Sequence, residues 1–269
     1  MKIKTVAILG AGAIGSYFIY GFSAAPDIDF CLIAKGERKE RLEKEGLCIN
    51  DKIYKPKVKT PEEAKGVDLL LVSTKYNGLH AALEDIRMVV APHTTVLSLL
   101  NGIDSEEIIG TVIDPARIAY SLMRINSERK GNNVTFNAEK TPGLFVGEKG
   151  SREESERLLA IRELLAKTPL RYHFCEDIIS EQWLKFTLNI AYNLPQAVLG
   201  TGYASYFDSA WALSGTGWKR RPARWRQPTA FPTARWKIPV PAGWKGRASP
   251  HCRIWKPNVI RKLTCSARC

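Results

Sequence analysis

Residues 6–22 have the sequence VAILGAGAIGSYFIYGF, an apolar run, three glycines and a second apolar run. The first run predicts a buried parallel strand that ends at Gly10, and the second has the spacing of a helix. The turn between them, G-x-G-x-x-G, is typical of dinucleotide binding: its glycines permit a tight turn, approach of a pyrophosphate, and close helix packing. The predicted cofactor-binding residues are therefore Gly10, Ala11, Gly12, Ala13, Ile14 and Gly15. A glycine turn that binds nothing is the alternative.

The first half of the chain continues to alternate apolar runs with helical stretches. Strands are predicted at IDFCLIAK, VDLLLVSTK and TTVLSLLNG, and helices at ERKERLEKEG and GLHAALEDIRMVV. Strand and helix in this rhythm predict an α/β fold, a doubly wound parallel sheet with helices on both faces.

The end of the second strand indicates which dinucleotide is bound. A carboxylate there would hold a ribose 2′-hydroxyl, whereas a cation would accept a 2′-phosphate. Lys35 stands at that position and Arg38 follows closely, so the sequence predicts NADP(H). The alternative is that both residues are solvated charges at the start of a helix.

Three further motifs follow in order. STKYN (residues 73–77) and SLLNGID (residues 98–104) end predicted strands, where ligands of such sheets collect. EDIISEQWLKFTLNIAYNLPQAVLG (residues 176–200) predicts a helix with Lys185 and Asn189 one turn apart. With the glycine turn, these motifs resemble the ketopantoate reductase (2-dehydropantoate 2-reductase) family from residue 1 to about residue 208.

The resemblance implies a domain plan and an activity. It implies a Rossmann-type NADP-binding domain over residues 1–167 and an all-helical substrate domain that starts in residues 168–213, with the active site in the cleft between them. The implied reaction is NADPH-dependent reduction of ketopantoate to pantoate, in pantothenate biosynthesis. A related 2-keto acid or opine-type reductase, or a non-catalytic dinucleotide-binding protein, is the alternative.

The resemblance also assigns roles to single residues. Lys185 matches the general acid, which suits the need of a reduced ketone for a proton on oxygen. Asn101 matches a residue that orients this lysine and contacts substrate and cofactor, Asn189 matches a substrate contact, and Lys75 and Asn77 match cofactor contacts. A lysine snorkelling from an amphipathic helix and an asparagine of simple turn chemistry are the alternatives.

The C-terminal segment, residues 214–269, has a different character. The net charge is +13, but 14 of the 40 Lys and Arg residues and none of the 27 Asp and Glu residues lie in this segment. The excess charge is therefore a property of the tail, which argues against nucleic acid as a partner of the rest. The residues after about 208 also contain six of the seven tryptophans and seven of the 15 prolines, without helical or strand periodicity. An irregular basic tail is expected, and stacking on single-stranded nucleic acid or a disordered appendage are alternatives.

A shifted reading frame explains this tail. If each codon is the last base of one residue and the first two of the next, Trp218-Lys219 and Trp255-Lys256 each give Glu, and His251-Cys252 gives Leu. The shifted text of residues 249–265 can then match the C-terminal S-x-L-Q-D…T-E-I-D segment of the family that the chain resembles. We interpret the tail as out of frame from a point between Ser209 and Ser214, which truncates the helical domain. The family's substrate-binding Ser and active-site Glu would then be absent from this chain.

Other classes of site find no support in the sequence. The six cysteines form no C-x-x-C pair and no zinc-spaced cluster, so reduced thiols of a cytoplasmic protein and no metal are expected. No apolar run reaches the ~18 residues of a membrane span. The expected partner is a small 2-keto acid, with no nucleic acid or membrane, and a homodimer is left open.

Overall fold

The computed structural model describes residues 2–151 and 153–200. The chain divides after Thr187 into two compact units, and the second unit is described only from Leu188 to Gly200. The domain boundary at residue 167 stays a prediction. The predicted tail over residues 214–269, and the reading-frame interpretation with it, lie outside the described residues.

The described residues form twelve strands, seven α-helices and three shorter helical segments. The strands are β1 (Thr5–Leu9), β2 (Asp29–Ile33), β3 (Leu47–Ile49), β4 (Lys52–Tyr54), β5 (Lys57–Lys59), β6 (Leu69–Val72), β7 (Thr95–Ser98), β8 (Ile118–Arg124), β9 (Ser127–Lys130), β10 (Asn133–Phe136), β11 (Gly143–Gly147) and β12 (Tyr172–Phe174). The helices are α1 (Ala13–Ser23), α2 (Gly36–Glu45), α3 (Leu79–Val89), α4 (Ser105–Ile109), α5 (Glu156–Leu165), α6 (Ile178–Leu188) and α7 (Leu194–Leu199). Two 3₁₀ turns (Tyr76–Gly78 and Pro115–Arg117) and a π-helical segment (Asn189–Asn193) complete the set.

The main sheet has the strand order β12-β11-β8-β7-β6-β1-β2-β5. Its neighbours are parallel except for the antiparallel pair β8 and β11. From β1 the chain runs outward to β2 and β5 on one side and later through β6, β7 and β8 on the other. The strand order therefore reverses between β1 and β6, and ligands of doubly wound sheets bind at the carboxyl edge of such a point. The predicted doubly wound α/β fold is confirmed.

The register of the central strands brings their carboxyl ends to one edge. Leu9, the last residue of β1, pairs with Ile33 of β2 on one side and Val72 of β6 on the other. The segments that follow these three strands are the glycine turn, the turn to Lys35 and the STKYN loop. The sheet thus gathers three of the sequence motifs at the reversal point.

Residues of the central strands alternate between two apolar cores. In β1, Val6 and Ile8 lie in the core that contains Tyr17 and Phe18 of α1. Ala7 and Leu9 lie in the second core, beneath α3. Period-two alternation in a strand buried on both faces requires this arrangement, and it accounts for the unbroken apolar sequence of β1.

A second sheet, with the order β4-β3-β10-β9, is not foreseen from the sequence. Its strands have only three or four residues, as in Lys52–Tyr54 and Asn133–Phe136, and segments this short are not distinguished by alternation or by an apolar run. Two local hairpins, β3–β4 and β9–β10, form this sheet, and the long-range pairing of Asn133 with Cys48 joins them.

The single helix expected over residues 176–200 is interrupted. It consists of α6, the π-helical segment Asn189–Asn193 and α7, with Pro195 in the first turn of α7. A proline supplies no backbone N–H, so the regular α-helical hydrogen bond to the residue four positions earlier cannot form there. Wider π turns of this kind are frequent at functional sites.

Candidate active site

The glycine turn after β1 has the geometry of a phosphate cradle. Gly10 has φ +112°, and a Cβ there would lie 2.7 Å from the carbonyl carbon of Ser73 in the loop after β6. A Cβ on Gly15 would lie 2.0 Å from the carbonyl oxygen of Gly10. A Cβ on Gly12, by contrast, would have no heavy atom within 4 Å. Two glycines therefore permit close packing, and the third leaves open space beside the backbone, which is what the approach of a pyrophosphate would require.

The start of α1 carries no competing anion. No side chain caps its N-terminus at Gly12, and its first turn has no acidic residue. The first intrahelical bond from Ser16 N to Gly12 O, 2.9 Å long, leaves the preceding amides without helical partners. Free amides and the positive end of the helix dipole both favour a phosphate at this position.

Lys35 lies at the end of β2, where it caps α2 with extended backbone. Its Nζ donates to Oδ1 of Asp85 in α3 at 2.6 Å, and the side chains are 56% and 12% exposed, respectively. Arg38, one turn into α2, is exposed. A nearly buried carboxylate, which was not predicted, therefore holds Lys35, and the part of Lys35 and Arg38 in cofactor binding stays a prediction.

The loop after β6 carries the next predicted pair. Lys75 precedes a 3₁₀ turn that contains Asn77, and both side chains are exposed. Between them, Tyr76 donates its hydroxyl hydrogen to Oδ2 of Asp104 at 2.6 Å. This bond joins the loops that follow β6 and β7, so Lys75 and Asn77 lie on a segment tied to the one that carries Asn101.

Lys185 and Asn101 meet although 84 residues separate them in the chain. Asn101 follows β7 in the main sheet, and Lys185 projects from the last turn of α6. Lys185 Nζ donates to Asn101 Oδ1 at 2.7 Å, and the lysine is half-buried. The structure thus brings the predicted proton donor against the predicted orienting amide.

The environment of Lys185 favours its neutral form more than water does. Burial, and after it the positive charge of Arg124, lower the pKa of Lys185 from 10.5 to about 8. Arg124 ends β8 and is itself held by Glu181 of α6, with its Nη2 2.7 Å from Oε2 and its guanidinium over the ring of Phe145. An amine with a pKa near neutrality can both hold and release a proton under ordinary conditions.

Asn189, the predicted substrate contact, belongs to the second unit. It begins the π-helical segment, and its Oδ1 accepts a hydrogen bond from Asn193 Nδ2 at 3.0 Å. Its role stays a prediction.

Residues 2–151 and 153–200 contain neither a metal-binding cluster nor a membrane-spanning helix. No group of three or more His, Cys, Asp or Glu side chains there could hold a metal ion. No helix in this part of the chain is long and apolar enough to span a bilayer.

Sequence reasoning missed the residues that surround these predicted ones. Asp85 and Arg124 each act through a partner far away in the chain, and no local motif marks them. The nearest sequence signal for Arg124 is its position as the final residue of the mostly apolar run IAYSLMR, where a charge lies at the carboxyl edge of the sheet.

A doubly wound sheet with a glycine cradle at its reversal point, and a lysine–asparagine pair two strands away, defines an oxidoreductase of the dinucleotide-binding class. The comparison with protein families agrees: residues 6–148 match the family described as "Ketopantoate reductase PanE/ApbA". The chain belongs to this family.

Individual relatives are distant. A 2-dehydropantoate 2-reductase of Mesorhizobium japonicum is 27% identical over 225 residues, which cover 74% of this chain and 68% of that protein. The solved 2-dehydropantoate 2-reductase of Geobacter metallireducens GS-15 has a TM-score of 0.67 at 24% identity, over 78% of this chain and 71% of that one. A structure of D-mandelate dehydrogenase with NADH and anilino(oxo)acetate has a TM-score of 0.64 at 24% identity, over 78% and 69%. The chain spans between 60% and 68% of the length of its first curated relatives.

Proposed function

We propose that the protein catalyses the NADPH-dependent reduction of 2-dehydropantoate to pantoate, a step of pantothenate biosynthesis. The observation that carries the proposal is the 2.7 Å hydrogen bond from Lys185 Nζ to Asn101 Oδ1 at the sheet edge that also bears the glycine cradle. Membership of the ketopantoate reductase family supports the substrate.

The chemistry follows from the two side chains. Reduction of a keto group places negative charge on its oxygen, which needs a proton and a nearby positive charge. NADPH, when bound, supplies the hydride. Lys185, with a pKa of about 8, is protonated at neutral pH and can give up its proton, and Asn101 Oδ1 fixes the direction of the amine.

The experiment that tests the proposal uses two proteins. One is the chain as it stands, and the other is the frame-restored protein, whose codons after about residue 213 are returned to the alternate frame. We expect both to bind NADPH, because the glycine cradle lies in the first unit, and the frame-restored protein to oxidise NADPH when 2-dehydropantoate is added. NADPH binding without 2-dehydropantoate turnover in the frame-restored protein would contradict the proposal.

NADPH is expected to bind more tightly than NADH, because Lys35 and Arg38 offer positive charge to a 2′-phosphate. Replacing Lys35 by Asp should reverse the preference, provided that Asp85, which would then face a second carboxylate, is changed to Asn. Fluorescence titration of both cofactors measures this. Equal affinities in the unaltered chain would refute the assignment, and Asp85→Asn alone is the matched control.

Turnover is expected to fall above about pH 8. The reaction needs Lys185 protonated, and burial with the Arg124 charge has lowered its pKa to about 8, so the active fraction decreases about tenfold for each pH unit beyond that value. The pH profile of kcat/KM for the frame-restored protein reports this pKa. A profile that stays flat to pH 10 would show that another group donates the proton.

A related 2-keto acid reductase is the second candidate. The similarity to D-mandelate dehydrogenase, solved with NADH and anilino(oxo)acetate, favours keeping it. Comparing kcat/KM for 2-dehydropantoate and for 2-keto acids with aromatic or small aliphatic side chains separates the two, because each candidate predicts a different best substrate.

A further inference from the structure

The elements that carry Asn101 and Lys185 are joined at a second, buried point. Glu106 lies in α4, which follows Asn101 directly in the chain, and Gln182 lies three residues before Lys185 in α6. Gln182 Nε2 donates to Glu106 Oε1 at 2.7 Å and to the backbone carbonyl of Ser121 at 3.0 Å. Glu106 is 2% exposed and Gln182 is 4% exposed, whereas the Lys185–Asn101 bond lies nearer the surface.

The buried pair belongs to a network that reaches the strand before Asn101. Glu106 Oε2 accepts from Ser105 Oγ at 2.7 Å, and Ser105 Oγ lies 2.7 Å from Ser98 Oγ at the end of β7. Both hydrogens of the Gln182 amide and both carboxylate oxygens of Glu106 are therefore engaged. Because these bonds run from α6 to β7, α4 and β8, they restrict both the rotation and the sliding of α6.

A buried polar network of this kind costs free energy, because its polar groups lose their contacts with water. Burial raises the pKa of the Glu106 carboxyl, against the hydrogen bonds from Ser105 and Gln182 that lower it. A buried apolar pair would stabilise the contact equally well or better, but it would not fix one orientation. Residues three apart lie on the same side of a helix, so the orientation of Gln182 also sets the direction of Lys185.

We propose that Glu106 and Gln182 are positioning residues: their hydrogen bond fixes α6 so that the Lys185 amine lies against Asn101. A flexible lysine at a partly exposed site gains little from a single hydrogen bond, since fixing its side chain costs entropy. The helix has to be fixed first. This inference rests on the proposed role of Lys185, and it extends that role to two buried residues that act through the lysine.

The test measures Lys185 directly in the full chain. The fraction of Lys185 acylated by a brief pulse of acetic anhydride, followed by mass spectrometry from pH 6 to pH 11, gives the titration midpoint of its amine. We expect a midpoint of about 8 in the unaltered chain. In Gln182→Met, which keeps the volume and removes the donor, the amine should leave its half-buried position and the midpoint should rise by about one unit or more, towards the ordinary lysine value.

Controls separate positioning from general damage. Ser180→Ala, on the same helix, removes a hydroxyl that donates to Asp177, the residue just before α6, and should leave the midpoint unchanged. Gln182→Asn, which withdraws the amide by one methylene, should shift the midpoint in the same direction and serves if the Met variant does not fold. Retained NADPH binding shows that a variant is folded.

The outcomes are distinct. A folded Gln182→Met or Gln182→Asn variant with an unchanged Lys185 midpoint would overturn the inference. Because the readout uses no substrate and no turnover, it can fail while the proposed reduction of 2-dehydropantoate stands, and the reverse also holds.

Discussion

Replacing Lys185 by alanine is expected to lower kcat of the frame-restored protein for 2-dehydropantoate by ~10²–10⁴-fold, the usual contribution of a general acid. The amine is the group that the structure places against Asn101, and its pKa of about 8 suits proton donation near neutrality. NADPH affinity should change little, because the cradle of Gly10 to Gly15 lies at another strand end. Steady-state rates and a separate NADPH titration measure the two effects.

A matched control uses a lysine away from the site. Lys130 of β9 is exposed and pairs with Glu128 on its own strand. Lys130→Ala therefore removes the same kind of side chain from a position outside the candidate site. The kcat of Lys130→Ala in the frame-restored protein should equal that of the frame-restored parent. A Lys185→Ala enzyme within a few-fold of the parent would show that the proton comes from elsewhere.

Gly12→Ala is expected to lose NADPH affinity but keep its stability, whereas Gly15→Ala is expected to lose stability. The Cβ at residue 12 meets no protein atom, so the fold should keep its melting temperature, while the methyl group occupies space intended for the pyrophosphate. NADPH binding should weaken by about tenfold or more, which is about 1.4 kcal/mol or more. The Cβ at residue 15 would lie 2.0 Å from Gly10 O, so this variant should lose about 1–3 kcal/mol of stability or more through overpacking.

Thermal unfolding and NADPH titration of both variants separate these effects. If Gly12→Ala unfolds as readily as Gly15→Ala, the second glycine has a packing role and the cradle interpretation is wrong. If Gly12→Ala binds NADPH as tightly as the parent, the cofactor does not approach this part of the backbone.

The sequence predicts the centre of the fold better than its margins. β1, β2, β6 and β7 are apolar on both faces and are bounded by glycine or polar residues, so each is visible from its own residues. The strands of the second sheet are too short to show a periodic signal, and the pairing of β3 with β10 that joins its two hairpins spans more than 80 residues. The π-helical segment was missed because the apolar spacing of residues 176–200 continues across it.

The residues of the candidate site likewise divide into those that have a local sequence signal and those that have none. The glycine turn, Lys35, Asn101 and Lys185 are visible because a motif or a resemblance marks each position. Asp85 lies 50 residues from Lys35, and Gln182 lies 76 residues from Glu106, so these pairs exist only once the sheet has assembled. The order of strands in the sheet determines which of these distant residues meet, and a local sequence pattern contains no information about that order.

The ion pair between Lys35 and Asp85 has an evolutionary consequence. Under the proposed role of Lys35, cofactor selectivity also depends on a side chain from α3, and a graft of the β2–α2 segment into a homologue is then expected to transfer only half of the determinant. A mutational path that begins with an acidic residue at position 35 would pass through an intermediate with two opposed carboxylates. Substitutions at positions 35 and 85 should therefore be epistatic, and lineages that exchange one cofactor for the other should alter Asp85 before or together with Lys35.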